Sequence, residues 1–224
     1  MTYTSHADLG GQTGHGPVRP EPEGELWHAP WEPRAMALTV ALGATGAWNL
    51  DASRAARESL PAYASLSYYA VWVAGLERLL QARGLLHEDE ITQARALHPA
   101  PPLPRTLLAA QVAAVLAKGS STSRPVTDPA TDAPRYAVGD AVRMQAAAVQ
   151  HHTRLPGYVR GKQGRVTALH GAHVYPDSNA LGAGEQPRWL YTGAFSGTEL
   201  WGSEPNAQGL CISVDAWEPY LASA

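Results

Sequence analysis

The hydrophobic pattern of this 224-residue chain changes period once, across a Gly-, Ser-, Thr- and Pro-rich stretch from Gly119 to Pro134. Before this stretch, apolar residues recur at intervals of three and four, as at Tyr69, Trp72 and Leu76, which predicts helices. After it, apolar and polar residues alternate in short segments between turn residues, which predicts strands. The chain is therefore predicted to be an α+β protein in two parts.

Four regions follow from this pattern. Residues 1–32 hold too many glycines and prolines for a helix but also carry apolar side chains such as Trp27, so we expect an arm that packs on another surface. Residues 33–118 are predicted to form a helical domain and 119–134 a linker. Residues 135–224 are predicted to form a small β-roll or barrel.

Individual elements are predicted from caps and breakers. Asn49 or Asp51 can cap the second helix, and Gly84 ends the third. The predicted helices begin at Pro33 and then cover 52–59, 68–83, 87–97 and 107–117. The predicted strands cover 136–144, 165–169, 188–195 and 210–214.

Composition excludes several classes of protein. Seventeen basic residues face twenty acidic ones, and the net charge of −3 argues against a general nucleic-acid or membrane-surface binder. No apolar run is long enough for a membrane span and no signal segment is present, so we expect a cytoplasmic protein. The single cysteine, Cys211, excludes an internal disulfide and a multi-thiolate metal site, and its alternating strand predicts a buried side chain.

The histidines and a basic cluster leave alternatives open. His151–His152 and His170–His173 match no zinc spacing, so we expect local hydrogen bonds and no metal bound by this chain. The cluster is either a nucleic-acid patch, a solvated turn, or a set of arginines presented to a buried anion on a partner. It consists of Arg154, Arg160, Lys162 and Arg165.

Tyr68 and Trp72 lie four residues apart and so share one helix face, with Tyr69 beside them. They would be either core residues or the wall of an aromatic pocket, and spacing alone favours the core.

A long ordered series of motifs runs through both halves. It includes Gly46-Ala-x-Asn-Leu-Asp51, Tyr68-Tyr69-x-x-Trp72, His152-Thr-Arg154-Leu-Pro156, Tyr175-Pro-Asp177 and Asp215-x-Trp-Glu218-x-Tyr220. This series closely resembles the β subunit of nitrile hydratase.

The resemblance implies an enzyme that hydrates a small nitrile to an amide, active as a heterodimer with a metal-bearing α subunit and paired further into a heterotetramer. The metal is cobalt or iron, held by oxidised cysteines of the α subunit, and Trp72 favours cobalt by analogy. The implied fold is an arm that wraps the partner, a helical domain and an SH3-like β-roll.

The resemblance also implies site residues. Arg54 and Arg154 would donate hydrogen bonds to the oxidised cysteines, and Leu50, Tyr68 and Trp72 would form the substrate pocket. Two further positions depart from the family pattern and suggest a pocket of altered shape. These are Ser53, commonly aromatic, and Val71, often histidine.

Two alternatives remain at this stage. One is a subunit of a related cysteine-metal hydrolase such as thiocyanate hydrolase. The other is a non-enzymatic binding module built on an SH3-like barrel.

Overall fold

The computed structural model describes residues 5–125 and 133–224, and the chain divides into two compact units. The first ends at Gly119 and the second begins at Ser120. The first contains the long helices and the second an antiparallel sheet, so the mixed α+β class predicted from the sequence is confirmed.

The described residues of the first unit form five α-helices. They are α1 (Glu32–Gly43), α2 (Leu50–Glu58), α3 (Tyr68–Ala82), α4 (Glu88–Gln93) and α5 (Val112–Lys118). Residues 5–31 contain turns but neither helix nor strand, as the glycine and proline content predicts. Asn49 is the cap of α2, because its side-chain oxygen accepts the Ala52 N–H at 2.8 Å.

The core of the first unit lies between α3 and its neighbours. Trp48, Leu76 and Leu79 are its buried centre. Helices α2 and α3 approach each other closely at Gly75, because a Cβ at this position would overlap Arg57 Cγ and lie 3.3 Å from Arg57 Cα.

Helix α4 is shorter than the predicted 87–97 because the Glu90 carboxylate binds backbone N–H groups that lie before and after the helix. It accepts N–H groups from His87 at 3.0 Å and from Leu97 at 2.9 Å, on either side of the helix. These backbone hydrogen bonds lower the pKa of Glu90 to about 2. The helix ends where Ala94 turns into the left-handed region, at φ 51°.

Helix α5 begins later than the predicted residue 107. A 3-10 turn, Ala109–Gln111, precedes it, and the Gln111 side chain accepts the Leu108 N–H at 3.1 Å. This contact holds Leu108 in an extended conformation outside the helix.

In the described part of the second unit there are six strands and two short α-helices. In chain order they are β1 (Ser123–Arg124), β2 (Ala141–Met144), β3 (Gln163–His173), α6 (Pro176–Ala180), β4 (Arg188–Ser196), α7 (Gly197–Trp201), β5 (Cys211–Trp217) and β6 (Leu221–Ser223). The antiparallel order is β5-β4-β3-β2-β6, with β1 paired to the end of β3. Among the described residues β5 and β6 do not pair, so the hydrogen-bonded sheet is open.

Strand β1 lies inside the stretch assigned to the linker. It is anchored by Arg124, whose guanidinium donates two hydrogen bonds of 2.6 Å to the Glu185 carboxylate. Residues 126–132 of the predicted linker lie outside the described residues.

The sheet covers one apolar core. Two irregularities in the β3–β4 register bend the long strand β3 over this core. Its fully buried members include Val142, Val166, Tyr191 and Phe195. Cys211 is exposed at the first position of β5, so the prediction that it is buried is wrong. Side chains alternate along β5, and Cys211 lies on the exposed side, whereas Val214 and Ala216 are buried.

Across the described ranges, no helix combines the length and apolarity that a membrane crossing requires.

Gly75→Ala should destabilise the chain by about 1 kcal/mol or more. Alanine favours a helix by about 1 kcal/mol over glycine, but overpacking costs about 1–3 kcal/mol, and the added methyl meets Arg57. Gly43→Ala is the matched control, since nothing lies within 4 Å of its built Cβ, and it should stabilise by about 0.5 kcal/mol. Thermal unfolding followed by circular dichroism measures both. Equal stabilisation by the two variants would contradict the close α2–α3 contact.

Candidate functional site

Helix α2 carries a half-buried arginine paired with a buried carboxylate. Arg54 Nη1 lies 3.0 Å from Asp51 Oδ1, and the exposed fractions of the two side chains are 37% and 7%. The first turn of a helix favours a carboxylate such as Asp51, and the guanidinium compensates its burial. The pair therefore fixes the guanidinium of Arg54 against α2 and leaves part of it accessible.

A cavity of about 420 Å³ lies between α2 and the start of α3. Three of the five predicted site residues of the chain, Arg54, Tyr68 and Trp72, line it together. Its other lining residues are Arg57, Glu58, Tyr63, Leu66 and Val71. The cavity thus combines two guanidinium groups with aromatic and aliphatic walls, an arrangement suited to a small ligand with one polar end.

Arg57 is a lining residue that sequence analysis did not select. Its guanidinium lies 4.8 Å from the centre of the Trp72 ring, and its Nε donates to the Ser53 carbonyl oxygen at 3.2 Å. Burial lowers the pKa of Arg57, but a guanidinium starts so high that it stays charged. The available sequence signal was its position three residues after Arg54 on the same helix.

The aromatic residues at the start of α3 form one cluster. Ring centres of Tyr68 and Trp72 are 5.5 Å apart, and those of Tyr68 and Tyr69 are 5.1 Å apart. Tyr68 is 66% exposed, so the core interpretation that spacing favoured is wrong for this residue. Leu50, the remaining predicted pocket residue of this unit, is 43% exposed and is not among the residues that line the cavity.

Arg154 belongs to the second unit, in the segment between β2 and a 3-10 turn at Gly157–Val159. Its side chain is exposed, and its backbone N–H donates to the Tyr220 hydroxyl at 3.1 Å. The Tyr220 hydroxyl in turn donates to the buried carboxylate of Asp177. Burial raises the pKa of Asp177, and the hydrogen bond from Tyr220 acts in the opposite direction.

The neighbouring basic residues are engaged within the unit. Arg160 Nη2 donates to the Leu155 carbonyl oxygen at 3.2 Å, and Lys162 Nζ donates to the Glu199 carbonyl oxygen at 2.9 Å. Both are half-buried, so the solvated-turn interpretation is wrong for these two side chains.

The histidines make local contacts. His151 Nδ1 lies 2.8 Å from the His152 carbonyl oxygen, and His170 Nε2 lies 2.7 Å from Thr192 Oγ1. His173 Nδ1 lies 3.0 Å from Thr122 Oγ1. Within 5–125 and 133–224, no three His, Cys, Asp or Glu side chains come together in an arrangement that could hold a metal ion.

Two family models match the chain, one for each half. Residues 3–114 match the nitrile hydratase beta subunit, N-terminal model, and residues 125–223 match the nitrile hydratase beta subunit, C-terminal model.

Curated relatives match over nearly the whole length. The chain is 39% identical over 226 residues to the low-molecular weight cobalt-containing nitrile hydratase subunit beta of Rhodococcus rhodochrous, covering 97% of this chain and 98% of that protein. It is 40% identical to a nitrile hydratase subunit beta of Rhodococcus sp, with 96% and 93% covered. It is 35% identical to the cobalt-containing nitrile hydratase subunit beta of Pseudonocardia thermophila, with 96% and 94% covered.

The α+β fold, the arginine-lined aromatic cavity and the two family matches together define the class of protein. The class is the β subunit of a two-subunit enzyme family. The chain belongs to the nitrile hydratase β-subunit family.

Proposed function

We propose that this chain is the β subunit of a nitrile hydratase and that it completes, with a metal-bearing α subunit, the active site that hydrates small nitriles to amides. The observation that carries the proposal is the cavity lined by Arg54, Tyr68 and Trp72, on a chain whose two halves both match this family. These matches favour a nitrile hydratase over a thiocyanate hydrolase-like subunit or a binding module.

Arg54 and Arg154 serve this site as hydrogen-bond donors to oxidised cysteines of the α subunit. Oxidised cysteine oxygens carry negative charge, and an anion in a buried interface needs donors. A guanidinium is planar, always charged and presents five N–H groups, so it suits such oxygens better than an ammonium does. The half-buried guanidinium of Arg54 and the exposed one of Arg154 are each carried on a main chain that is held by hydrogen bonds.

The metal belongs to the partner, and cobalt is favoured because two of the relatives are named as cobalt-containing. When bound there, it supplies the Lewis acidity that activates a nitrile. The donor set of this chain fits a supporting role: the proposed contacts are guanidinium groups, which pair with anions and do not ligate metals. These residues orient the oxidised ligands and shape the water-excluding wall of the site.

Tyr68, Trp72 and Leu50 form the substrate side of the pocket. The Tyr68 hydroxyl orients the nitrile or the nascent amide by one hydrogen bond, and Trp72 supplies an apolar wall whose position is fixed by Arg57. Leu50, exposed at the start of α2, packs on the substrate once the partner closes the site. Ser53, commonly aromatic in the family, and Val71, often histidine, give this pocket an altered shape: Val71 lines the cavity and Ser53 is hydrogen-bonded to the lining residue Arg57.

Residues 1–32 form the arm that wraps the α subunit, and the resulting heterodimer pairs into a heterotetramer. The support is the exposure of apolar arm side chains: Val18 is 92% exposed and Leu26 is 74% exposed. Side chains of this kind in a segment without regular structure fit an interface. The assembly acts in the cytoplasm.

The other regions complete this organisation, with a helical domain at 33–118, a linker at 119–134 and an SH3-like roll at 135–224. Two features support the SH3-like assignment. The final strand β6 returns to pair with β2, and a 3-10 turn at Glu218–Tyr220 leads into it.

Arg54→Lys and Arg154→Lys should each lower nitrile hydration about 10- to 100-fold with the fold retained. Lysine keeps the charge but loses the planar fork, and one charge-assisted hydrogen bond in a buried site is worth about 1.5–3 kcal/mol. The measurement is the hydration rate of each reconstituted α–β complex, with circular dichroism to verify folding.

Arg83→Lys and Arg143→Lys are the controls, because these exposed arginines lie at the end of α3 and on β2. Each should retain activity within about twofold, as surface substitutions do. If all four variants hydrate nitriles equally well, neither Arg54 nor Arg154 contacts the oxidised cysteines.

Tyr68→Phe should raise KM or lower kcat about tenfold, since one hydrogen bond of about 1–1.5 kcal/mol is lost while the ring remains. Tyr69→Phe is the matched control, because Tyr69 follows on the same helix but its hydroxyl faces Met36 Sδ at 4.0 Å. Steady-state kinetics on the complex distinguishes the two. Equal kinetics in both variants would remove Tyr68 from the substrate site.

Replacing Val18 and Leu26 together by serine should weaken heterodimer assembly at least about tenfold, because burying each side chain is worth about 1.5–3 kcal/mol. The unfolding temperature of the chain alone should not change, as both side chains are exposed there. Glu23→Ser, an exposed polar arm residue, is the control. Assembly titrations that give one dissociation constant for all three proteins would show that the arm is not at the interface.

A further inference from the structure

A buried carboxylate in the second unit is surrounded by hydroxyl groups. Asp177, on the short helix α6, is 3% exposed, and Tyr220, in the 3-10 turn before β6, is 4% exposed. The Tyr220 hydroxyl donates to the Asp177 carboxylate, and hydrogen bonding by the Thr153 and Tyr175 side chains lowers the pKa of Asp177, against the larger effect of burial. His151 Nδ1 lies 3.6 Å from Asp177 Oδ2. A buried carboxylate needs such donors, so its position is fixed by several segments at once.

Two consecutive residues of the Arg154 segment are tied to this carboxylate. The Thr153 side chain is one of the groups whose hydrogen bonding lowers the pKa of Asp177, and Arg154 is linked to this carboxylate through Tyr220, whose hydroxyl accepts the Arg154 N–H at 3.1 Å. The Leu155 N–H adds a contact to Thr153 Oγ1 at 3.3 Å. The main chain is therefore held while the Arg154 side chain extends to the surface.

We propose that Asp177 and Tyr220 are positioning residues for Arg154: together they fix the main chain from which its guanidinium reaches the oxidised cysteines. The inference rests on the proposed function of Arg154. A hydrogen-bond donor that is displaced by about 1 Å in an active site loses much of its contribution to the rate. Fixing the main chain that carries the donor therefore helps to maintain the reaction rate.

The same unit contains a second tyrosine–carboxylate pair, in which the tyrosine is buried and the carboxylate is half-buried, and this pair serves as an internal control. The Tyr191 hydroxyl donates to Glu218 Oε2 at 2.6 Å, and the same oxygen accepts the Arg135 N–H at 3.0 Å. Tyr191 is fully buried. Tyr191→Phe and Tyr220→Phe therefore delete the same group from equally buried rings, and only Tyr220 bonds to Arg154.

Hydrogen exchange of the Arg154 amide in the full chain tests the contact itself. Tyr220→Phe should speed this exchange at least about tenfold, because the amide loses its acceptor, and Tyr191→Phe should leave it unchanged. Asp177→Ala, which frees the Tyr220 hydroxyl, should act like Tyr220→Phe. Asp177→Asn keeps one oxygen as an acceptor and should restore part of the protection. Unchanged exchange in Tyr220→Phe would overturn the proposal.

Kinetics of the reconstituted complex tests the consequence. Tyr220→Phe should lower kcat about tenfold and leave KM within about twofold, whereas Tyr191→Phe should leave both unchanged. When Arg154→Lys is already present, adding Tyr220→Phe should lower kcat by less than about twofold further, because both substitutions impair the same contact. Fully additive losses, or an equal loss in Tyr191→Phe, would overturn the positioning role.

Failure of the proposed function gives a different result. If Arg154→Lys alone retains full activity, the assignment of Arg154 fails, whatever Tyr220→Phe does to amide exchange. If Arg154→Lys lowers activity but Tyr220→Phe does not, only the positioning role fails.

Discussion

The cavity of the helical unit depends on the closeness of α2 and α3, which Gly75 permits. Because no side chain stands between the helices at this point, Arg57 of α2 can lie against α3 and place its guanidinium over the Trp72 ring. A cation on an aromatic face contributes about 0.5–2 kcal/mol, depending on how far it is removed from water. Arg54 on one helix and Tyr68 on the other line the same cavity. The packing of α2 against α3 therefore determines the shape of the cavity and which residues line it.

In the second unit, the segments between the strands lack regular backbone pairing and are held by side-chain hydrogen bonds instead. Asp177 is a buried carboxylate and Glu218 a half-buried one, and both accept hydrogen bonds from buried tyrosines that lie far along the chain. Removing a carboxylate from water is costly unless donors replace the solvent, so each one requires its donors to be in place. A segment joined to such a carboxylate is held in place although it makes no regular strand pairing.

Periodicity predicted the elements whose stability is local. Helices α1, α2 and α3 lie within a few residues of their predicted bounds, since apolar spacing and an Asn49 cap determine them. The end of α4 was missed because it depends on Glu90 reaching both His87 and Leu97. Strand β1 was missed because two residues have no period of their own and become a strand only by pairing with β3.

The site residues were predictable to different degrees. Arg54, Tyr68 and Trp72 were selected by resemblance, and the cavity brings them together. Spacing placed Tyr68 on an apolar face but could not tell which faces of α3 are covered within this chain, so exposure was decided by packing. Arg57 could be selected only from the contact between α2 and α3, and no pattern in the sequence predicts that contact.

A single principle relates the two arginines of the proposed site. Each is held by a buried carboxylate: Asp51 pairs directly with the Arg54 guanidinium, and Asp177 holds the Arg154 main chain through Tyr220. Arginine stays charged at any physiological pH, so its pairing with a partner's anion does not depend on a proton. Ordering a flexible side chain on binding costs about 0.5–1.5 kcal/mol. For Arg54, whose guanidinium is already paired with Asp51 in the chain alone, part of this ordering is present before the partner binds. For Arg154 the part that is already ordered is the main chain. In both cases more of the interaction between arginine and anion remains to stabilise the assembled site.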